Sequence, residues 1–308
     1  MLKFRDMPPR TKSTTEPITV DPIWLLKAGA ITVLAAIFCA WLTLCGLFYQ
    51  GQWQLVLHPS AIVDKTPATL GLPFDPISFA VNDSGTPQLT GWYLPAGPGA
   101  RFSKTTILFL HDGAGSLADT LPQLQQLHAL GLNIFAFDYR GYGLSVHSHL
   151  SNAHLSADAE SAYQYLAETK KLNPKQIIPF GDGIGASLAL EIAQNHPRTP
   201  AIIAENPVPD LLQKAKTDPR SHLVPVGLLY NNPFDLSALS TLPTPKLLIA
   251  PPNSPRITNL YKQAASPKTI LTTDGPLTEA IKRFIDEYQP TYDPQPLPLP
   301  APHPKKHR

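Results

Sequence analysis

Between Gly181 and Ala186 the chain reads GDGIGA. It sits directly behind the apolar run Ile177, Ile178, Phe180 and ahead of a helical pattern carried by Ile184, Leu188, Leu190, Ile192 and Ala193. Strand, tight glycine turn and helix is the setting in which acyl-transfer chemistry presents a nucleophile. The turn is so sharp that the residues two before and two after the nucleophile must be small. Gly181 and Gly185 meet that need, and Ala186 lets helix and strand pack closely. The position between them should hold Ser, Cys or Asp, and it holds Gly183. Making Asp182 the nucleophile would place Phe180 and Ile184, both bulky, at the small positions, so that frame is rejected. Glycine suits the bend in its own right. The nucleophile's backbone conformation costs roughly 1–3 kcal/mol for a residue with a Cβ, and glycine adopts it with little strain. A phosphate cradle is the other use of such a turn. Neither a GxGxxG nor a Walker pattern is complete here, and no cofactor is expected.

Other chemistry-bearing residues collect at the ends of further apolar runs. Thr105 to Leu110 (TTILFL) closes on His111-Asp112-Gly113-Ala114-Gly115, and Asn133 to Phe137 (NIFAF) closes on Asp138-Tyr139-Arg140-Gly141-Tyr142-Gly143. His111, Asp112, Asp138 and Asp182 therefore fall at carboxyl ends of strands, where open sheets bind ligands. Ligand types alone do not make a metal site, and none is expected. Glu205 ends another run and is read as a loop hydrogen-bonding residue. Ser116, Ser145 and Ser187 carry hydroxyls but have no general base assigned to them.

These residues need a frame, and the pattern supplies one. Ile77, Phe79 and Val81 alternate, Asp83-Ser84-Gly85 turns, and Leu89 to Leu94 returns as a second strand. Helices are expected at Leu117–Leu130, Ala153–Leu172, Asn259–Ala265 and Leu277–Tyr288. Strands are expected at Ala201–Ala204, Lys246–Ala250 and Thr269–Thr272. Such alternation implies an α/β fold with a mainly parallel twisted sheet and helices on both faces. Pro209 to Asp235 is irregular and is the expected small cap or lid, within a domain spanning 50–289. The tail 290–308 is dominated by proline, in a chain with 35 prolines, and is expected to be extended.

Residues 28–49 form the expected transmembrane anchor. The charge-free run Ala28–Phe48 is about the 20 residues that cross a bilayer as a helix. A cleaved signal would carry a shorter apolar region and an A-x-A-like site. Lys3, Arg5, Arg10, Lys12 and Lys27 precede the run, and the next basic residue is Lys65. That asymmetry puts residues 1–27 in the cytoplasm and the domain across the membrane, with a bacterial inner membrane and periplasmic domain as the expected setting. Both cysteines, Cys39 and Cys45, lie inside the run, so the outer domain has neither a disulfide nor a thiol. The net charge of +2, without a basic stripe interleaved with aromatics, argues against a nucleic-acid partner.

The phrases HDGAG (His111–Gly115), DYRGYGLS (Asp138–Ser145) and GDGIGA (Gly181–Ala186) resemble the HG-x-x-G, DYRGYG-x-S and G-x-S-x-G-G segments of α/β-hydrolases. The likeness is to membrane-anchored members near the monoacylglycerol-lipase and serine-aminopeptidase branches, and it covers roughly Trp53 to Tyr288. The resemblance implies an α/β-hydrolase fold and a Ser–His–acid triad. On that alignment the nucleophile position is Gly183 and the acid position is Ser254. The histidine position falls in Thr273–Leu277, around Pro276, and no histidine occurs between His222 and His303. The oxyanion loop, His111, Asp112 and Gly113 with Ile184, has Asp112 where the family has glycine, which brings a carboxylate to the spot where negative charge would develop. The resemblance thus implies a non-catalytic protein that binds a small molecule or protein partner. The alternative is a hydrolase of ester or peptide bonds with relocated catalytic residues.

Overall fold

The computed structural model describes residues 21–81, 85–208, 216, 219–230, 234–272 and 277–288. It opens with a helix, α1 (Pro22–Gly51), of 30 residues and about 45 Å. The helix starts earlier than the expected anchor because Asp21 caps it, its side chain accepting from the Ile23 amide, and Pro22 takes the first helical position. It is long and apolar enough to cross a membrane, and its side chains are almost all exposed.

Behind it stands an eight-stranded sheet. Beyond the two-residue strand β1 (His58–Pro59), its members begin with β2 (Asp75–Ala80), β3 (Pro87–Leu94) and β4 (Thr106–Leu110). After the two-residue β5 (Ala114–Gly115) come β6 (Asn133–Asp138), β7 (Ile177–Asp182), β8 (Ile202–Glu205), β9 (Lys246–Ala250) and β10 (Lys268–Thr272). The spatial order is β2-β3-β6-β4-β7-β8-β9-β10. Only the β2–β3 and β3–β6 pairings are antiparallel. Strands β4, β6, β8 and β9 are buried along their whole length, which is why their interiors read as apolar runs, with polar residues only at the ends, rather than as alternations.

Side-chain alternation sorts these strands between two cores. Leu108, Leu110, Phe135, Phe137 and Ile177 face α3 (Asn152–Gln164) and α4 (Gly185–Asn195). Ile107, Phe109, Ile134, Ile178 and Phe180 face α2 (Leu121–Ala129) and the closing helix at Thr278–Tyr288. Helices on both faces of a mainly parallel sheet is the architecture the pattern required.

Several boundaries depart from the sequence pattern. The first turn of the helix expected at Leu117 is a 3-10 turn at Leu117–Thr120. The long third helix widens into a π-turn at Tyr165–Thr169 before Lys171 ends it with φ of 58°. The helix expected from Asn259 starts at Pro255, because proline is preorganised for a first turn; with α5 (Val226–Leu229) before it, it is α6 (Pro255–Gln263), and α7 is Thr278–Tyr288. Strand β8 runs one residue further, to Glu205. The turn residues 82–84, parts of the expected cap (209–215, 217–218 and 231–233) and the tail lie outside the described residues.

Candidate functional site at the strand-to-helix bend

The chain builds β4, crosses to β6 on one side, then returns to β7 on the other. The carboxyl ends of β4 and β7 therefore flank the point where the sheet's order reverses, where ligands of open α/β sheets bind. Loop 111–115 leaves β4 there, and the bend at Gly183 leaves β7.

The glycines of the bend are dictated by contact. A Cβ on Gly181 would strike the Gly185 carbonyl, and one on Gly185 would strike the Leu110 carbonyl of β4. Gly183 has φ of +56°, the left-handed region that an L side chain seldom enters. Its amide donates to the Glu205 carbonyl at 3.0 Å, and its carbonyl receives the Ala186 amide at 3.3 Å. The bend is thus built with a nucleophile's backbone and no side chain.

The space a side chain would occupy is filled. A Cβ on Gly183 would fall on the carboxylate of Asp112. The same carboxylate receives the backbone N–H of Ile184, the residue after the bend, at 3.0 Å on Oδ1. Asp112 is held there by its neighbours. The Tyr139 hydroxyl donates to the His111 carbonyl at 3.1 Å, and the Tyr142 hydroxyl donates to the Gly113 carbonyl at 3.0 Å. The two tyrosines of DYRGYG therefore clamp the loop on either side of Asp112. Gly113 is packed from outside by Leu57 and Val56 and from inside by Ile184. Its carbonyl also receives the His58 amide at 2.7 Å, where β1 pairs with β5.

His111 is fully buried, and burial pushes it down to about 4, so it is neutral. Its Nδ1 lies 2.7 Å from the Asp112 carbonyl, which only accepts, so Nδ1 carries the proton. Nε2 faces Asp138, 3.9 Å from Oδ1, with no hydrogen-bond partner among the described residues. Asp138 is pushed up to about 7 by burial, against the pull of the Leu117 amide that donates to its Oδ1 at 2.8 Å. Next along the sheet, Asp182 and Glu205 occupy register partners on β7 and β8. A single amide, Gln123 Nε2, donates to both, at 3.1 and 3.2 Å. Burial first, and the Asp182 charge second, push Glu205 up to about 7. Asp182 is raised for the same leading reason, with Asp112 adding to it.

Each hydroxyl singled out in the sequence is committed to backbone. Ser116 donates to the Ile62 carbonyl at 2.8 Å, Ser145 to the Asp138 carbonyl at 2.6 Å, and Ser187 to the Ile184 carbonyl at 2.8 Å. Ser254 lies after β9 and stands at the start of α6, where its carbonyl receives the Thr258 amide at 3.1 Å. The expected histidine position, residues 273–276, is outside the described residues. Among the described residues no three His, Cys, Asp or Glu side chains gather as a metal site. A cavity of about 10 Å³ between Gln123, Leu127, Phe180, Glu205 and Leu277 reaches Glu205 of the acidic pair and is large enough for one water. A wider groove of about 450 Å³, lined by Tyr163, Leu172, Pro174 and Arg198, lies at the far end of α4 from the bend.

Sequence reasoning missed Gln123. Two carboxylates at matched ends of neighbouring parallel strands demand a donor between them, and that demand was a usable signal. Also missed was the pairing of β1 with β5, which spans only two residues and leaves no periodicity.

A family model described as serine aminopeptidase, S33, matches residues 103–228. The chain is 31% identical over 190 residues to protein bem46 of Schizosaccharomyces pombe, covering 59% of this chain and 60% of that one. It is 30% identical over 152 residues to the alpha/beta hydrolase domain-containing protein WAV2 of Arabidopsis thaliana, covering 49% of this chain and 48% of that one. The chain thus spans only part of the length of these relatives. Among solved structures, an esterase of Pyrococcus furiosus superposes with a TM-score of 0.59 at 18% identity, covering 76% of this chain and 98% of its own. An alpha-beta hydrolase from Vibrio vulnificus superposes with a TM-score of 0.57 at 19% identity, covering 79% of this chain and 89% of its own. At these identities the likeness to the solved structures is one of fold.

Proposed function

We propose that the chain, which carries the α/β-hydrolase fold behind one candidate membrane-spanning helix, is a non-catalytic member of that superfamily, a reading that the serine-aminopeptidase match and the likeness to bem46 support. It binds a small-molecule or protein ligand at the membrane. One observation carries this. The Asp112 carboxylate takes the Ile184 N–H at 3.0 Å and fills the volume a nucleophile's side chain would need. A negative oxygen already sits where a substrate's developing oxyanion would be stabilised, and it would repel a second one. The absence of Ser at Gly183, of an acid at Ser254 and of a histidine near Pro276 supports the same conclusion. Removing a whole triad costs on the order of a millionfold in turnover.

The test is covalent labelling of the full-length protein, purified in detergent, with a fluorophosphonate, alongside turnover of nitrophenyl esters. No labelling above a heat-denatured sample is expected. Stoichiometric labelling would overturn the proposal and favour a hydrolase with relocated groups, a second reading that draws on the serine-aminopeptidase match and the esterase neighbour.

In this proposal residues 1–27 are cytoplasmic, 28–49 anchor the chain, 50–289 form the outer domain with 209–235 as a cap over the ligand, and 290–308 trail. Five basic residues before the apolar run and none after it until Lys65 support the orientation, with a bacterial periplasm as the compartment. A reporter fused after Tyr288 should be active only outside the cytoplasm, and cytoplasmic activity would reverse the topology.

A further inference from the structure

The last turns of α1 do not leave the domain behind. Cys45 is buried in the same core cluster as Val56, Leu57, Val224 and Val226, and Phe48 packs against it. Higher up the helix, Trp41 donates its indole N–H to the Leu223 carbonyl at 3.1 Å. Trp41 is seven residues before Phe48, the end of the charge-free run, which places it about 10 Å along the axis from that end. The segment Leu223–Leu229 therefore lies beside α1 at a level the apolar run has already entered. Two large side chains on it have no cover: Leu223 is 66% exposed and Leu228 is 83% exposed.

We propose that Leu223 and Leu228 are a second membrane contact, inserted into the outer leaflet beside Trp41. They hold the site-bearing end of the domain against the lipid. The occupant of this surface is the bilayer, because the surface is continuous with the helix that crosses it. If the run Ala28–Phe48 fills the hydrocarbon layer of about 30 Å, the two leucines are within it. If the final turns of α1 rise out with the domain, Trp41 marks the interface, a level tryptophan favours, and the leucines dip in beside it. The contact has a consequence for the site. Val56 and Leu57, which follow α1 after the single turn Gln52–Leu55, pack on Gly113, so the anchor, the leucines and the loop bearing Asp112 share one end of the molecule.

The inference rests on α1 spanning the membrane, and the experiment separates the two. Full-length protein carrying Cys39→Ala and Cys45→Ala receives one cysteine at a time, Leu228→Cys, Leu223→Cys, Leu34→Cys or Ser103→Cys. Each is spin-labelled and reconstituted in phosphatidylethanolamine–phosphatidylglycerol vesicles. Leu34 lies on α1, and Ser103 is exposed before β4, at the end of the sheet opposite the bend. Labels at Leu223, Leu228 and Leu34 should collide several-fold more with dissolved oxygen than with an aqueous nickel chelate, and the Ser103 label should do the reverse. A lipid-exposed Leu34 with water-exposed Leu223 and Leu228 overturns the second contact and leaves the anchor standing. A water-exposed Leu34 removes both. Protection of Leu223 and Leu228 from both reagents means a second copy of the chain covers them and also overturns the proposal.

Discussion

A serine placed at Gly183 would meet two penalties at once: a φ of +56° and a carboxylate already in its path. Gly183→Ser should therefore destabilise by roughly 1–3 kcal/mol for the backbone alone, read as a fall in Tm of several degrees. Adding Asp112→Gly should recover part of that fall by clearing the space. Neither variant should react with a fluorophosphonate, since no histidine stands ready to take the proton; measurable esterase turnover in either would refute the account of the site. Glu205 gives a pH prediction. Its folded value of about 7 lies above its ordinary 4.5, so the folded protein keeps a proton that the unfolded chain releases. Stability from this residue is unaffected below about pH 4.5, falls as the pH rises to about 7, and stays lowered above that, by up to about 3 kcal/mol. Glu205→Gln should raise the melting temperature at pH 8 and leave it little changed at pH 4. Equal effects at both pH values would sink the assignment. At this scale the sequence disclosed which residues stand at the bend and after β9, because Gly183 and Ser254 can be read letter by letter. It could not disclose that Asp112 binds the amide of a residue 72 positions away, since nothing local in either segment records that meeting.

The elements that aim the site were the most legible part. Buried strands such as TILFL and KLLIA announce themselves because both their faces are covered and every position after the first is apolar. Boundaries set by caps and special turns were less so. The start of α6 hides behind a proline, and the π-turn of the third helix depends on a hydrogen-bond register that composition does not encode. What holds the loops between elements is also testable. Arg140, in the DYRGYG loop, donates from its Nε to Asp158 Oδ1 on α3 at 2.6 Å, and its backbone amide donates to Oδ2 at 2.8 Å. Asp158 is fully buried, and burial pushes it up to about 6 against the pull of Arg140. Asp158→Ala leaves that guanidinium with the His154 carbonyl but no countercharge and should cost about 3–5 kcal/mol, measured by urea denaturation in detergent. A loss below about 1 kcal/mol would mean the pair does not fasten the loop.

For the whole molecule, the apolar run foretold one long apolar helix but not how it joins the rest. The chain emerges from α1, turns once through Gln52–Leu55, and at His58 and Ser60 is already hydrogen-bonded to Gly113 and Gly115. Deleting residues through Ser60 should therefore raise amide hydrogen exchange in 111–115 far more than deleting residues through Phe48, and equal exchange in the two would separate tether from site. The short pairing of β1 with β5 makes the residues just after α1 one side of the loop that bears Asp112. A protease that cut near Phe48 would leave that pairing whole, whereas a cut only a dozen residues later would strip the loop of its partner strand. Whether the loop keeps its shape apart from α1 is thus decided by the place of the cut.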